Sequence, residues 1–390
     1  MIEGSKKTDQ IYGLDLIRFG SAMMVLLFHL FFWIGVPSPA SDGGPKISLF
    51  WGSEWASSGW VGVEIFFVIS GYVIAASANG KSALAFLRSR IRRLLPGVWI
   101  AVVFALTIAL AAHFIPVKTL LRNALLSSTL NPYGPWLDIV YWTLAVEVSF
   151  YALIFLMLLG NVFSRFPQLL IGLAVYSGGA WITAAMAEAF NNDRMANLVL
   201  SAMDRHIFKL ILLRHGCYFA IGGLIWLCSA RRITAPRLIS IIIAGAGCFI
   251  ELHYRTLHQQ GAPSSTTLVP LMIWILAVIA MFASVRYSAL ITSIFKRFDD
   301  QIRFLGLVTF PLYLIHHVSG VTIIRALMHA GLPQILSQAL TAALMIAVAS
   351  LIVQWIEPFV LRLLDIPLRK ITAAAGANVR VLSRTTTAVQ

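Results

Sequence analysis

The chain has 390 residues, of which 59% are apolar and only 12% are charged, and its mean hydropathy is +0.82. A soluble core of this size does not need so much apolar surface, whereas each crossing of a bilayer about 30 Å thick needs roughly 20 mostly apolar residues. The net charge of +14 is carried in short basic runs between apolar segments, which is typical of cytoplasmic loops rather than of a nucleic-acid-binding face. Composition therefore predicts an all-α, polytopic integral membrane protein.

Apolar segments separated by charged residues predict about ten transmembrane helices along the chain. The first apolar segment has no small-residue cleavage site behind it, so we expect a membrane anchor rather than a signal peptide. Most of the basic residues then fall on the N-terminal side of the membrane, which places both termini in the cytoplasm. The stretch 189–215 fits either an outer loop or the start of a longer helix. The predicted spans are 13–35, 59–79, 96–115, 141–160, 168–188, 210–229, 237–252, 267–284, 304–328 and 335–360.

The domain organisation is predicted to be simple. Residues 1–365 form one membrane domain, and the basic, Ala/Ser/Thr-rich segment 366–390 is expected to be a flexible cytoplasmic tail. The outer loop 36–58 is rich in Pro, Gly and Ser, as a turn-forming surface segment should be. The cysteines are odd in number and lie in or beside apolar runs, so we expect neither a disulfide framework nor a metal site; they are Cys217, Cys228 and Cys248.

Three ionisable side chains are predicted to lie at one depth, near the outer ends of three different spans. These are His29 in FHLFFW, Glu64 in GWVGVEIFF and Glu147 in WTLAVEVSFY. An ionisable group in the bilayer is costly unless it is paired or hydrated, so this convergence indicates a function, with a purely structural hydrogen-bonded cluster as the alternative. In the catalytic interpretation, a carboxylate orients one ring nitrogen of His29, and the other nitrogen takes a proton from a hydroxyl.

A run of arginines, RSRIRRLLP, crowds the predicted cytoplasmic mouth of the third span, which is expected to begin at Pro96. Such a run is commonly a topology determinant beside anionic lipid headgroups. Guanidinium groups at this spacing also make a good site for a polyphosphate, because each can form forked hydrogen bonds to phosphate oxygens. We take Arg90, Arg92 and Arg93 as candidate phosphate ligands.

Other polar residues in the predicted spans leave two interpretations open. Arg18 lies three positions from Asp15, so it is either a further ligand or the partner of that carboxylate. His316 and His317 fall about halfway across the ninth span, where a structural role and a substrate-facing role are equally compatible with the sequence. We take His316 as a substrate-binding candidate. Further candidate donors to the substrate or its oxyanion, chosen by location alone, are Ser70, Tyr72, Trp142 and Tyr151.

Five motifs in order, GLDLIRFGSAMMVLLFH, GWVGVEIFFVISGYVI, RSRIRRLLP, WTLAVEVSFY and FLGLVTFPLYLIHH, resemble the membrane acyltransferase-3 family. The family includes bacterial O-antigen, exopolysaccharide and Nod-factor O-acetyltransferases, and the resemblance covers about residues 11 to 365. It implies a bundle of about ten helices in the bacterial inner membrane. It also maps the family's first-helix histidine onto His29, its arginine before the third helix onto the Arg90 to Arg93 run, and its fourth-helix acid onto Glu147.

The resemblance implies an O-acyltransferase that takes an acyl group, usually acetyl, from cytoplasmic acyl-CoA to a hydroxyl of a cell-surface carbohydrate at the outer face. An aspartate is frequent in the family where this chain has Glu64, and we expect no SGNH hydrolase-like domain. The expected donor is acetyl-CoA or another acyl-CoA, and no metal is expected. His29 then acts either as general base or as a nucleophile that carries the acyl group. A transporter or flippase of a glycolipid or polysaccharide precursor is the alternative function, followed by a non-catalytic scaffold.

Overall fold

The computed structural model describes residues 11–35, 53–112, 116–230, 233–258 and 268–366, and the regular structure in these ranges is helical throughout. The predicted 366–390 tail, apart from its first residue, and most of the predicted loop 36–58 lie outside them. Within these ranges the α-helices are α1 Tyr12–Leu27, α2 Gly62–Ala78, α3 Ala83–Ala112, α4 Val117–Ser128, α5 Trp142–Leu159, α6 Phe166–Leu173, α7 Gly179–Ala189, α8 Asp193–Asp204, α9 His206–Leu210, α10 Gly216–Ala230, α11 Ala235–Leu257, α12 Val269–Arg286, α13 Ser288–Phe295, α14 Asp299–Ile315, α15 Val318–His329 and α16 Gln334–Leu351.

The helices confirm the predicted polytopic membrane architecture. Among the described residues, eight helical stretches are long and apolar enough to cross a bilayer, and a ninth is added if the bent stretch from α13 to α15 is one span. The predicted span 210–229 corresponds to α10, an apolar helix that is shorter than the eight stretches long enough to cross the bilayer. The segment 189–215, which the sequence left open, contains the short helices α8 and α9. The chain is therefore a multi-pass membrane protein.

The third span begins earlier than predicted. α3 starts at Ala83, so the arginine run belongs to the helix and Pro96 lies inside it rather than at its first turn. Its 30 residues are about 45 Å long at 1.5 Å per residue, which exceeds the thickness of the hydrocarbon core. The first turns of α3 can therefore extend beyond the apolar layer while remaining helical, and this places the arginines on defined faces of one helix.

The ninth span is broken where the sequence predicted a continuous helix over 304–328. α14 ends at Ile315, α15 begins at Val318, and the two helices are bent by 69°. His316 and His317 form the break itself. Residues at such an interruption have backbone groups and side chains that are not committed to a regular helix, which is a common setting for a membrane-embedded site.

α1 and α14 run in the same direction side by side. At their first residues the Tyr12 hydroxyl donates to Asp299 Oδ1 at 2.8 Å. At their far ends His316 Nε2 lies 3.1 Å from His29 Nδ1. The bundle therefore has two defined ends: the Tyr12 end, where both helices begin, and the histidine end, where both helices finish.

α2 packs against α10 with almost no side-chain layer between their backbones. A Cβ atom added at Gly222 of α10 would lie 1.9 Å from the Val68 carbonyl oxygen, and one added at Gly71 of α2 would lie 2.3 Å from the Phe219 carbonyl oxygen. Small residues at both positions allow this approach, as in many helix pairs inside membranes. The contact fixes the position of α2, the helix that carries Glu64.

Gly222→Ala is expected to destabilise the protein by at least about 1–3 kcal/mol, because the added methyl group meets backbone that cannot rotate away. The measurement is the thermal unfolding midpoint in detergent, followed by tryptophan fluorescence. Gly172→Ala is the matched control, since a Cβ atom there meets no heavy atom within 4 Å. Equal midpoints for the two variants would contradict the close packing of α2 and α10.

Candidate active site

The histidine end of α1 is a turn of π-helix, Phe28–Phe32, rather than regular α-helix. His29 lies in this turn, and its Nδ1 atom is 2.9 Å from the Val25 carbonyl oxygen. From α16 the buried Gln338 donates its Nε2–H to the Leu30 carbonyl at 2.8 Å. Single π-turns occur frequently at functional sites, and this one fixes the direction of the imidazole.

The hydrogen bonds assign the proton positions on two of the three histidines. His316 Nδ1 donates to the Tyr313 carbonyl at 2.7 Å, so the Nε2 atom of this neutral ring is an acceptor. Because that acceptor lies 3.1 Å from His29 Nδ1, and Val25 offers only a carbonyl oxygen, the His29 proton resides on Nδ1. The Nε2 atom of His29 therefore carries a free lone pair.

His317 has its own carboxylate partner, Asp138, which the sequence analysis did not identify. His317 Nδ1 lies 2.9 Å from Asp138 Oδ1, and the Val318 N–H donates to Asp138 Oδ2 at 2.8 Å. Asp138 is buried and also accepts the Val140 N–H, so it connects the start of α5 to the break after α14. This arrangement again leaves an imidazole Nε2 as an acceptor, now with a carboxylate behind the ring.

The histidine rings form one cluster, which we call the histidine cluster: His29, His316 and His317. The centroid of the His29 ring lies 5.0 Å from that of His316 and 4.8 Å from that of His317. Two neutral imidazoles with free Nε2 atoms can accept a proton from a hydroxyl, or attack an acyl group.

A partly open cavity of about 70 Å³ lies between α1, α2, α3, α5 and α14. Its polar lining comes from Arg18, Arg93 and Glu147 together with several hydroxyl groups. Tyr313 lines the same cavity, and its ring lies 5.7 Å from that of His316. The cavity therefore reaches to within one side chain of the histidine cluster. Further lining residues are Val63, Phe66, Phe67, Ser70, Leu94, Thr143, Leu144, Thr309 and Phe310.

The predicted arginine ligands lie in different environments around α3. Arg93 lines the cavity and lies over the ring of Phe310. Arg90 is buried between the rings of Phe86 and Tyr151, 5.4 Å from each centroid. Arg92 instead forms an ion pair with Asp365. Of the three, only Arg93 faces the cavity.

Arg18 of α1 joins Arg93 at the cavity wall. Its guanidinium lies 3.9 Å from Asp15, the outer limit of an ion pair, and also lines the cavity, so the alternatives of phosphate ligand and Asp15 partner both stay predictions. Eleven positions separate Arg18 from His29, which corresponds to about 16 Å along a helix. The cationic part of the cavity is thus well separated from the histidine cluster.

Glu147 does not orient His29 as the sequence analysis proposed. Its Oε1 atom accepts the Ser70 hydroxyl at 2.8 Å and the Tyr151 hydroxyl at 2.7 Å. Ser70 and Tyr151, two of the suggested oxyanion donors, are therefore committed to this carboxylate. The sequence predicts similar depths for Glu147 and His29. In the structure, Glu147 points toward the Tyr12 end of the bundle, where Arg18 and Arg93 lie.

Glu64 likewise has other partners than His29. It is fully buried and forms an ion pair with Arg255 of α11, whose guanidinium lies 4.2 Å from the centroid of the Trp60 ring. Trp142, a predicted substrate contact, packs against the ring of His215 at 5.3 Å and is not part of the cavity lining. The carboxylate expected beside a histidine is thus supplied by Asp138, which precedes a predicted span and so gave no sign of burial in the sequence.

Two curated proteins are similar to this chain in sequence. The chain is 25% identical over 347 residues to the peptidoglycan O-acetyltransferase OatA of Listeria monocytogenes, covering 78% of this chain and 51% of that protein. It is 26% identical over 243 residues to a Komagataeibacter xylinus protein named "Putative membrane-bound transacylase BcsY", covering 55% of this chain and 57% of that one. The chain spans little more than half the length of these curated relatives. No solved structure matches it significantly.

A family model described as an acyltransferase domain, that of acyltransferase-3, matches residues 11–356. This range contains the histidine cluster, the cavity and Asp138. The resemblance seen in the motifs is confirmed over most of the sequence, and the chain belongs to the acyltransferase-3 family.

Proposed function

We propose that the protein is an O-acyltransferase that moves an acyl group, most commonly acetyl, from acyl-CoA to a hydroxyl of a carbohydrate. The observation that carries this proposal is the cavity, which has two arginines in its wall and ends one side chain away from the histidine cluster, where the Nε2 atoms of His29 and His317 are free. A donor with phosphates at one end and a thioester at the other fits such an arrangement.

The arginines provide the donor site in this proposal. Arg18 and Arg93 form charge-assisted hydrogen bonds with the phosphates of CoA, and the apolar wall receives the pantetheine arm. Arg90 acts indirectly by stacking on Tyr151, whose hydroxyl holds Glu147. Arg92 is a weaker candidate, because Asp365 already neutralises its charge.

The transfer step needs a group that takes the acceptor's proton while the hydroxyl oxygen attacks the thioester carbon. We assign this role to His29 Nε2, the lone pair left by the hydrogen bonds on Nδ1. The oxygen–carbon bond forms, the carbon–sulfur bond breaks, and the proton held by His29 passes to the departing CoA sulfur. Asp138 stabilises the positive charge through His317, whose ring packs against His29.

Asp138→Asn is expected to lower kcat for transfer by about 10–100-fold with little change in the KM for the donor, since Asp138 supports the histidines and is not a donor ligand. Steady-state kinetics with acetyl-CoA measure both constants. Asp138→Glu, which keeps the charge, is expected to recover part of kcat. A rise in donor KM with unchanged kcat would contradict the positioning role.

The proposal also includes the sidedness and the acceptor. The basic residues near the Tyr12 end support a cytoplasmic location for this end, where acyl-CoA is found, and the histidine cluster at the opposite end would then face the cell exterior. One relative is named as a peptidoglycan O-acetyltransferase, which supports a cell-surface carbohydrate as acceptor. The expected location is the inner membrane of a bacterium.

Acyl-CoA turnover tests the proposed function. Purified protein in nanodiscs is incubated with acetyl-CoA and with candidate carbohydrate acceptors, free CoA thiol is followed, and the acceptor is analysed for an added acetyl group. Thiol release together with an acetylated acceptor would support the O-acyltransferase. Movement of a glycolipid across the bilayer with neither thiol release nor acyl-CoA binding would instead indicate a flippase.

A further inference from the structure

A second polar cluster lies outside the cavity and the histidine cluster. We call it the carboxylate–histidine cluster: Glu64 of α2, His215 immediately before α10, and Glu251 of α11. All three residues are buried, with exposures of 0%, 1% and 0%. One ligand atom from each lies within 4.8 Å of the other two. The proposed acyl transfer makes no use of this cluster.

The cluster contains side-chain atoms that have no hydrogen-bond partner among the described residues. These atoms are Glu64 Oε2 and both ring nitrogens of His215. A buried polar atom without a partner is costly, and two such side chains at one point indicate that something else occupies their lone pairs. The rings of Phe67 and Trp142 pack on His215, with centroids 5.2 Å and 5.3 Å away, and offer it no polar partner.

The geometry limits the size of the occupant. Three atoms that are at most 4.8 Å apart all lie within about 2.8 Å of one common point, so the site accommodates one atom rather than a sugar or a phosphate. Two carboxylate oxygens and one imidazole nitrogen are ligands of divalent transition metals, with bonds of about 2.0–2.2 Å for zinc.

Neighbouring side chains hold both carboxylates in place. Arg255 binds Glu64 through Oε1, and the buried Oε2 atom has no hydrogen-bond partner among the described residues. Glu251 accepts Arg214 on Oε1 at 3.3 Å and the Tyr218 hydroxyl on Oε2 at 2.7 Å. Ligating carboxylates are ordinarily held by such outer hydrogen bonds. Arg214 also pairs with the exposed Asp204, which connects the cluster to the protein surface.

We propose that Glu64, His215 and Glu251 bind one divalent transition-metal ion, with zinc as the best fit, and that this ion ties α2, the start of α10 and α11 together beside the active site. The two arginines already balance the two carboxylates, so one ordered water molecule is the competing occupant. Water would satisfy the same atoms with hydrogen bonds and would bring no metal.

Metal content of the full-length protein tests this proposal. The protein is purified through an affinity tag without histidines, and zinc, iron and manganese are measured by mass spectrometry. About one equivalent of metal is expected in the wild type, and at least about tenfold less in His215→Ala. His215→Cys restores a zinc ligand and is expected to recover binding. His253→Ala is the matched control, because His253 lies on α11 but is exposed.

A second measurement keeps the test decisive if a variant folds poorly. Wild-type protein treated with a chelator is titrated with Zn²⁺ against a chromophoric competitor, and its unfolding midpoint is measured with and without the ion. Uptake of one equivalent with a raised midpoint is expected. The proposal fails if no metal copurifies and the chelated protein takes up none, or if His215→Ala binds as much metal as His253→Ala.

Discussion

Replacement of His29 by alanine is expected to lower the rate of acyl transfer by about 10²–10⁴-fold, the usual contribution of a positioned general base. The effect is large because both hydrogen-bond partners of the ring, the Val25 carbonyl and His316, contact Nδ1, which leaves the Nε2 lone pair free to take a proton. Among the described residues of the histidine cluster, His317 is the other residue with a free Nε2 atom, and its Nδ1 atom is held by Asp138.

The measurement is single-turnover transfer from acetyl-CoA to the acceptor identified in the turnover assay, with binding of acyl-CoA measured separately. Binding is expected to change little, because Arg18, a proposed phosphate ligand, lies about 16 Å away from His29 along α1. His329→Ala is the matched control, since His329 is exposed at the end of α15. Transfer by His29→Ala at a rate close to that of the control would show that another group, most directly His317, takes the proton.

The same variant separates the two roles that the sequence left open for His29. If the histidine carried the acyl group, the wild type would accumulate a labelled protein when radiolabelled acetyl-CoA is supplied without acceptor, and the label would be lost in the alanine variant. A general base gives no such intermediate. The neighbouring imidazoles in the structure are compatible with proton transfer in one step, so we expect no label.

The membrane architecture could be predicted from the sequence because twenty apolar residues have few alternatives to a spanning helix. The local breaks in two of these helices could not be predicted from the sequence. Both His29 and His316 stand out as ionisable residues in apolar segments, but their contact depends on a π-turn at the end of α1 and on the interruption of α14. Neither feature has a marker in the sequence, since FHLFFW and YLIHH contain no glycine or proline at the critical positions.

Polar partners were the least predictable part of the candidate site. A similar predicted depth in the membrane suggests that Glu64 or Glu147 orients the imidazole of His29. Depth, however, does not fix the direction in which a side chain points. Glu64 faces Arg255 and Glu147 faces Tyr151. The burial of Asp138 could not be predicted, because this residue precedes the predicted fourth span and resembles an ordinary residue of an aqueous loop.

The arginine run shows how one boundary error changes a functional prediction. With a helix that begins at residue 96, the arginines are a flexible charged loop and are equivalent to one another. With α3 starting at Ala83, Arg90 and Arg93 are three positions apart on neighbouring parts of one face, whereas Arg92 is turned away toward Asp365. Helical periodicity then separates Arg92 from the other two arginines, and the rings of Phe86 and Tyr151 around Arg90 leave Arg93 as the arginine that lines the cavity.

Arg18→Ala and Arg93→Ala are each expected to raise the KM for acetyl-CoA by about 10–100-fold, corresponding to the roughly 1.5–3 kcal/mol of a hydrogen bond to a charged group. Both guanidiniums line the cavity, and a change in kcat is expected to be smaller because neither contacts the histidine cluster. Arg92→Ala is expected to have a weaker effect, since its charge is held by Asp365. Arg286→Ala is the control at an exposed position near the start of α1.

A truncated donor makes the interpretation specific to phosphate binding. Acetyl-pantetheine carries the thioester but none of the CoA phosphates, so the wild type should use it with a high KM and the arginine variants should resemble the wild type. The ratio of the two KM values, variant over wild type, is therefore expected to fall from about 10–100 with acetyl-CoA to about one with acetyl-pantetheine. An equal ratio for both donors would mean that Arg18 and Arg93 shape the cavity without binding phosphate, and the donor site would then have to lie elsewhere on the bundle.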